Sequence, residues 1–136
     1  RCGVDIIRVK KWFQSDFASF NIIADIVKKA ELIGNGIAIS TYDEVGKDAN
    51  LICAKAADEL LTISDITASF VLGNNGNKIC ISGRSIGDIN VQLILEKLGG
   101  GGHITLAGAQ LEGMTMEESI QELKNRINEY FSEVEN

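Results

Sequence analysis

The segment Leu98-Gly99-Gly100-Gly101-Gly102-His103 places four consecutive glycines directly before the only histidine of the chain. Residues without a Cβ let a ligand approach the main chain and let several N–H groups converge on one point, which suits a phosphate. A helix C-cap explains one glycine, not four between two apolar segments. The run is not a Walker loop, because no Gly-Lys-Ser/Thr follows and no strand directly precedes it. It follows an expected helix, whose C-terminal dipole end repels anions, so cations or a new helix start must compensate. His103-Ile104-Thr105-Leu106-Ala107 is expected to supply one, as a short helical turn with its N-terminus aimed at the phosphate.

Arg84 is the second candidate, within Ile81-Ser82-Gly83-Arg84-Ser85. A planar guanidinium at a strand's end suits bidentate phosphate recognition. The plain alternative is a solvated charge or an ion pair. Cys2, Cys53 and Cys80 are odd in number and form no C-x-x-C pair, so neither a disulfide framework nor a zinc site is expected. A reducing cytoplasm fits that usage. Cys53 and Cys80 sit among apolar neighbours and read as small core hydrophobes.

The elements that must position these residues follow from composition and period. A chain of 136 residues, 45% hydrophobic and 24% charged, reads as one globular domain. Thirteen Lys+Arg against nineteen Asp+Glu give a net charge of −6, which disfavours a nonspecific nucleic-acid binder. No run approaches the roughly 18 apolar residues of a membrane span, so no membrane contact by this stretch is expected. The first residue is Arg1, not Met, which reads as a piece of a longer parent. With no proline and fourteen glycines, glycine does nearly all the punctuation.

Apolar spacings of three and four predict helices over Lys11–Leu32, Lys47–Ile63, Ile89–Leu98 and Met116–Phe131. Asp88 is placed to cap the third, and Thr115 with Glu118 has capping-box spacing at the fourth. Strands are expected over Ile37–Tyr42, Ile66–Leu72, Lys78–Arg84 and near Ala109–Glu112. Asn75-Gly76 makes the second and third of these an antiparallel hairpin. The sum is an α/β fold, a mixed β-sheet of about four to five strands packed by about four helices in a single domain.

Arg84-Ser85-Ile86-Gly87-Asp88-Ile89-Asn90-Val91-Gln92, followed by Glu96-Lys97-Leu98-Gly99-Gly100-Gly101-Gly102-His103, closely resembles the DHH-associated C-terminal domain of DHH-family phosphoesterases. Ile89-Asn90-Val91-Gln92 and the fourth glycine are most similar to the branch of membrane-anchored cyclic-di-AMP phosphodiesterases. Ala54-Lys55-Ala56-Ala57-Asp58-Glu59-Leu60-Leu61 is similar too, and Gly3–Ala30 looks like the connector leaving the catalytic domain. The expected division is a linker end over residues 1–10 and a substrate-binding domain over 11–136.

The resemblance implies a split active site. The preceding DHH domain would hold two manganese ions, which activate water and neutralise the phosphate under attack. The associated domain would grip the substrate, a cyclic dinucleotide or short oligonucleotide. This chain has one histidine and no Asp-His-His run, so no metal site and no hydrolysis are expected from it alone. Gly100, Gly101 and Gly102 would cradle a phosphate through their amides. His103 would hydrogen-bond the phosphate or leaving oxygen and assist catalysis. Arg84 would neutralise charge, Ser85 and Thr105 would donate hydrogen bonds, and Asn90 would contact a base or ribose unless it caps a helix. Trp12 and Tyr42 are candidates for stacking on adenine.

The parent is expected to be anchored in the cell membrane with this domain in the cytoplasm, and a homodimer stays open. Two other functions compete. One is a domain of a nanoRNase-like or RecJ-like oligonucleotide phosphoesterase. The other is a binding and dimerisation module like the C-terminal domain of alanyl-tRNA synthetase, against which the net charge of −6 argues. A regulatory domain with no phosphate site is the plainest reading.

Overall fold

The apolar periodicities become helices on both sides of one sheet in the computed structural model, which describes residues 17–135. In chain order the elements are α1 (17–28), β1 (Glu31–Leu32), β2 (Ile37–Val45), α2 (Ala49–Leu60) and β3 (Ala68–Asn74). Then come β4 (Ile79–Ser85), α3 (Val91–Glu96), β5 (Gly101–Gly102), β6 (Leu106–Leu111) and α4 (Met116–Glu135). The six strands lie in the order β1-β2-β3-β4-β6-β5. Only β2 and β3 are parallel, joined by the α2 crossover.

Alternation along the strands splits the core in two. Ile37, Ile39, Phe70, Leu72, Ile79 and Ile81 pack with Ile94 and Leu95 of α3 and Leu123 and Ile127 of α4. On the other face, Ala38, Tyr42, Val71 and Cys80 pack with Ile23 and Ile26 of α1 and Ile52, Cys53 and Ala56 of α2. Burial on both faces is why the central strands read as apolar runs.

The class of fold is the expected one, a mixed α/β sheet in a single domain, and the sheet is slightly larger than expected. β1 and β5 add two residues each, too few for any alternation to show. The Asn75-Gly76 hairpin is present: β3 and β4 pair antiparallel from Ala68↔Ser85 to Asn74↔Ile79. Its corners are Gly76-Asn77, with Gly76 at φ 108° and the Asn75 N–H donating to the Lys78 carbonyl at 3.1 Å. The capping box forms at α4, where the Thr115 N–H donates to Glu118 Oε1 at 2.9 Å and the Glu118 N–H donates to Thr115 Oγ1 at 3.1 Å.

Boundaries moved where turn chemistry outweighed periodicity. Residues 11–16 of the first expected helix lie outside the described residues; the described part ends at residue 28, and Leu32 belongs to β1. Gly34, Asn35 and Gly36, with φ of 107°, 57° and 75°, turn the chain into the β1–β2 hairpin. The second helix is trimmed to Ala49–Leu60. The third starts at Val91, because Asn90, not Asp88, caps it: Asn90 Oδ1 accepts from the Leu93 N–H at 3.1 Å. The last strand begins at Leu106, and the expected helical turn over His103–Ala107 is instead the β5–β6 hairpin.

Candidate functional site

The register of β4, β6 and β5 brings the two sequence candidates onto one face. Cys80 opposes Gln110, Ser82 opposes Gly108, and Arg84 opposes Leu106. The middle row continues into β5, where Gly101 opposes Gly108. The third continues through the hairpin: the His103 N–H donates to the Leu106 carbonyl at 2.7 Å, and the Leu106 N–H donates back at 3.3 Å. Directly opposed residues share a face. Arg84, Leu106 and His103 therefore form one row beside Ser82, Gly108 and Gly101.

Helix α2 packs on β3 and β4 on this face, and the helix that meets β6 and β5, α3, packs on the opposite face with Ala107, Ala109 and Leu111. Leu106 and Gln110 are accordingly exposed, whereas Ala107, Ala109 and Leu111 on the other face of β6 are buried. What remains is an open cleft of about 600 Å³ above Ser82, Gly108 and Gly101, bordered by Asn50 of α2, Lys78 and Gln110.

The four glycines have different reasons to be glycine. Gly99, at φ 84°, closes α3: its N–H donates to the Glu96 carbonyl at 3.0 Å and the Gly100 N–H to the Leu95 carbonyl at 2.8 Å. A Cβ on Gly100 would lie 2.0 Å from the Gly108 carbonyl oxygen, and one on Gly102 would lie 2.4 Å from the Leu106 carbonyl oxygen. The close approach of β5 to β6 requires both. A Cβ on Gly101 would meet nothing within 4 Å. The fold does not demand glycine there; its absent side chain keeps the cleft floor flat.

The amides are also unequal. That of Gly100 is committed to the end of α3. Bonded and outward-facing pairs alternate in an antiparallel ladder, and His103 exchanges bonds with Leu106. Gly101 thus bonds to Gly108, and the Gly102 N–H faces off the sheet's edge.

Arg84 is held firmly. Its Nε donates to Asp58 Oδ1 at 2.8 Å, and its Nη1 donates to the Gly83 carbonyl at 2.9 Å. The arginine side chain is 12% exposed and the aspartate 63% exposed, so a mostly covered guanidinium is tied to a solvated carboxylate on α2. A planar fork fixed at two points presents its remaining N–H groups in a set direction.

The other expected site residues are placed differently. Ser85 is buried, its hydroxyl donating to the Ile89 carbonyl at 2.6 Å and accepting from the Gly87 N–H at 3.0 Å. Asn90 caps α3, and its own N–H donates to the Tyr130 hydroxyl at 3.0 Å. These two shape the loop between β4 and α3. His103 and Thr105 are exposed in the hairpin between β5 and β6. Tyr42 is buried beneath α1 and α2, where burial and the nearby Asp48 and Glu44 raise its phenol above the usual range. Trp12 lies outside the described residues.

Sequence reasoning missed Ser82, Asn50, Lys78, Gln110 and Asp58. A signal existed for Ser82, because period two from Arg84 puts it on the same strand face. No local pattern could reveal Asp58, which is 26 positions from its partner. Among the described residues, no three His, Cys, Asp or Glu side chains gather as a metal site needs. The donor set does not fit a metal centre built from them.

Most of the sheet with its helices on both faces, the glycine-lined cleft and the anchored arginine at a strand's end fall within residues 34–133, which match the DHHA1 domain. The chain belongs to the DHHA1 domain family. It is 42% identical over 130 residues to the cyclic-di-AMP phosphodiesterase GdpP of Geobacillus thermodenitrificans, covering 95% of this chain and 20% of that protein. It is 38% identical over 130 residues to the cyclic-di-AMP phosphodiesterase PdeA of Listeria monocytogenes, again covering 95% and 20%. The chain thus spans about a fifth of the length of these relatives. An exopolyphosphatase-related protein from Bacteroides fragilis shares the fold, with a TM-score of 0.72 at 17% identity over 87% of this chain and 36% of that one.

Proposed function

We propose that the cleft over Gly101 grips the phosphate and an adjoining nucleotide unit of cyclic-di-AMP, and that this chain is the substrate-binding part of a phosphodiesterase releasing linear pApA. One observation carries this reading: a floor free of side chains at Gly101 and Gly108, with Arg84 fixed in the adjacent row of the same face. The two relatives named for cyclic-di-AMP hydrolysis support the choice of substrate.

Each group has a definite task in that reading. Arg84, steered by Asp58, neutralises phosphate charge with its outer N–H groups. The Gly102 N–H at the sheet edge adds a main-chain donor, and Gly101 lets the phosphate lie against the backbone. His103, in the row of Arg84, donates to the phosphate or the leaving oxygen. The Ser82 hydroxyl and the Asn50 and Gln110 amides around the cleft suit the edges of a sugar or base. Ser85 and Asn90 act through the loop and helix they hold, and Thr105 through the hairpin tip.

Two manganese ions belong, in this reading, to a preceding DHH domain of the parent, and residues 1–10 to the linker from it. The parent's membrane anchor rests on the same resemblance; no helix of the described residues is long and apolar enough to cross a membrane. Calorimetric titration of the chain with cyclic-di-AMP tests the reading. Binding should be measurable, and Arg84→Ala should weaken it by roughly ten-fold or more, as loss of a charge-assisted donor implies. With manganese added, the chain alone should leave cyclic-di-AMP and pApA intact. No binding, or metal-dependent turnover that copurifies with the chain, contradicts it.

A further inference from the structure

Beneath the cleft lies a chemical group that substrate binding does not use. Cys53 on α2 and Cys80 on β4 are both free thiols and both buried. They meet over Gly73 of β3, which opposes Cys80 in the ladder. A Cβ built on Gly73 would sit 2.6 Å from Cys53 Sγ and 3.6 Å from Cys80 Sγ, so the missing side chain at Gly73 makes room for both sulfurs side by side. Cys80 Sγ also donates to the Gly73 carbonyl at 3.4 Å. The two differ in access: Cys80 borders the cleft, and Cys53 is enclosed by α2 and the sheet.

We infer that Cys53 and Cys80 are an oxidation site, and that hydrogen peroxide entering through the cleft joins them in a disulfide fastening α2 to β4. The chemistry balances in two steps. The Cys80 thiolate attacks the distal peroxide oxygen, the O–O bond breaks, and with a proton water leaves, giving Cys80 sulfenic acid. Cys53 sulfur then attacks the Cys80 sulfur; the S–O bond breaks, the Cys53 proton joins the departing hydroxide, and a second water leaves. Two thiols are oxidised by two electrons, and one peroxide is reduced to two waters. The order of events has support in the pair itself. The hydrogen bond to Cys80 and burial raise the Cys53 thiol well above its usual range, and Cys80, which borders the cleft, is the one that peroxide reaches first.

The consequence reaches the site above. Helix α2 carries Asn50 at the cleft and Asp58 on Arg84, and a covalent tie at Cys53 holds it against β4 between those two points. This inference does not depend on the identity of the ligand.

The test uses the chain with Cys2→Ser, which removes the third thiol, treated with hydrogen peroxide and then digested. A peptide pair linked through Cys53 and Cys80, accompanied by a mass loss of two hydrogens, is expected. Cys53→Ala should leave Cys80 as a sulfenic acid trapped by dimedone, and Cys80→Ala should leave Cys53 unmodified. The linked form should also melt at least about 5 °C higher, from the restriction placed on the unfolded chain. Persistence of both thiols, or conversion of Cys80 to sulfinic acid with Cys53 intact in the wild-type pair, overturns the inference.

Discussion

The two faces of β6 are built from one strand and do opposite things. Ala107, Ala109 and Leu111 point into the core beneath α3 and α4, and each is buried. Leu106, Gly108 and Gln110 alternate with them on the face that α2 does not reach, and Leu106 and Gln110 are exposed. The same contrast runs through the glycines of the preceding segment. Gly100 and Gly102 are pressed against β6, and Gly101 between them faces open space. A cleft opens here where the helix on that face stops short of the sheet's edge.

The largest effects should come from the closed face. Phe70→Ala, at a fully buried position of the core under α3 and α4, should cost about 3–5 kcal/mol of unfolding free energy in chemical denaturation. A cost below about 1 kcal/mol there would erase the distinction between the faces. Next come the glycines. Gly100→Ala must displace the main chain of β6, because its Cβ would lie 2.0 Å from a carbonyl oxygen, so a loss on the order of 2 kcal/mol or more is expected. Gly101→Ala should change stability by under about 1 kcal/mol, because nothing lies in the way. Equal losses at the two positions would mean that Gly101 too is there for the fold.

Asp58→Asn should be milder and should separate positioning from charge. It keeps a hydrogen-bond acceptor for Arg84 Nε and removes the countercharge. Affinity for cyclic-di-AMP should change by a few-fold at most. Asp58→Ala, which frees the guanidinium, should approach the ten-fold loss of Arg84→Ala. If both Asp58 variants bind as the wild type does, the ion pair has no part in steering Arg84.

The smallest effect should lie on the exposed seam between α3 and α4. Lys97 Nζ contacts Glu129 Oε1 at 2.7 Å and Glu133 Oε2 at 2.9 Å. The hydrogen bond donated by Lys97 lowers the Glu129 carboxyl, and the bonds Lys97 donates to Glu129 and Glu133 raise its own ammonium. A lowered carboxylate stabilises the fold above its ordinary range, and that contribution is lost as pH falls through its value in the fold. Glu129→Gln should therefore shift the melting midpoint only slightly at neutral pH, and the difference should vanish in acid. A difference that grew on acidification would reverse the sign.

How much of this was legible in the sequence follows the same division. Helix α4 announced itself, because Thr115, Glu118 and the spacing of Ile120, Leu123 and Ile127 are all local signals. The β3–β4 hairpin was readable from its turn residues. Strands β1 and β5 were not, since a two-residue strand has no period and exists only through its partner. The glycine run and Arg84 stood out by residue type, but the difference between Gly101 and its neighbours depends on which strand lies beside them. The expected turn at His103 failed for the same reason: its main-chain partner is Leu106 in the returning strand, not a helical neighbour.

The most direct test is a titration of the isotope-labelled chain with cyclic-di-AMP, followed by amide and side-chain nuclear magnetic resonance. A ligand in the cleft should move the amides of Gly101, Gly102 and Gly108, the side-chain amides of Asn50 and Gln110, and the guanidinium of Arg84. Signals of the buried face, such as Leu123 and Ile127, should stay in place. Shifts confined to α4 or to the α1 surface, with the Gly101 and Gly108 amides unmoved at saturation, would show that the open face of β6 is not where the nucleotide binds.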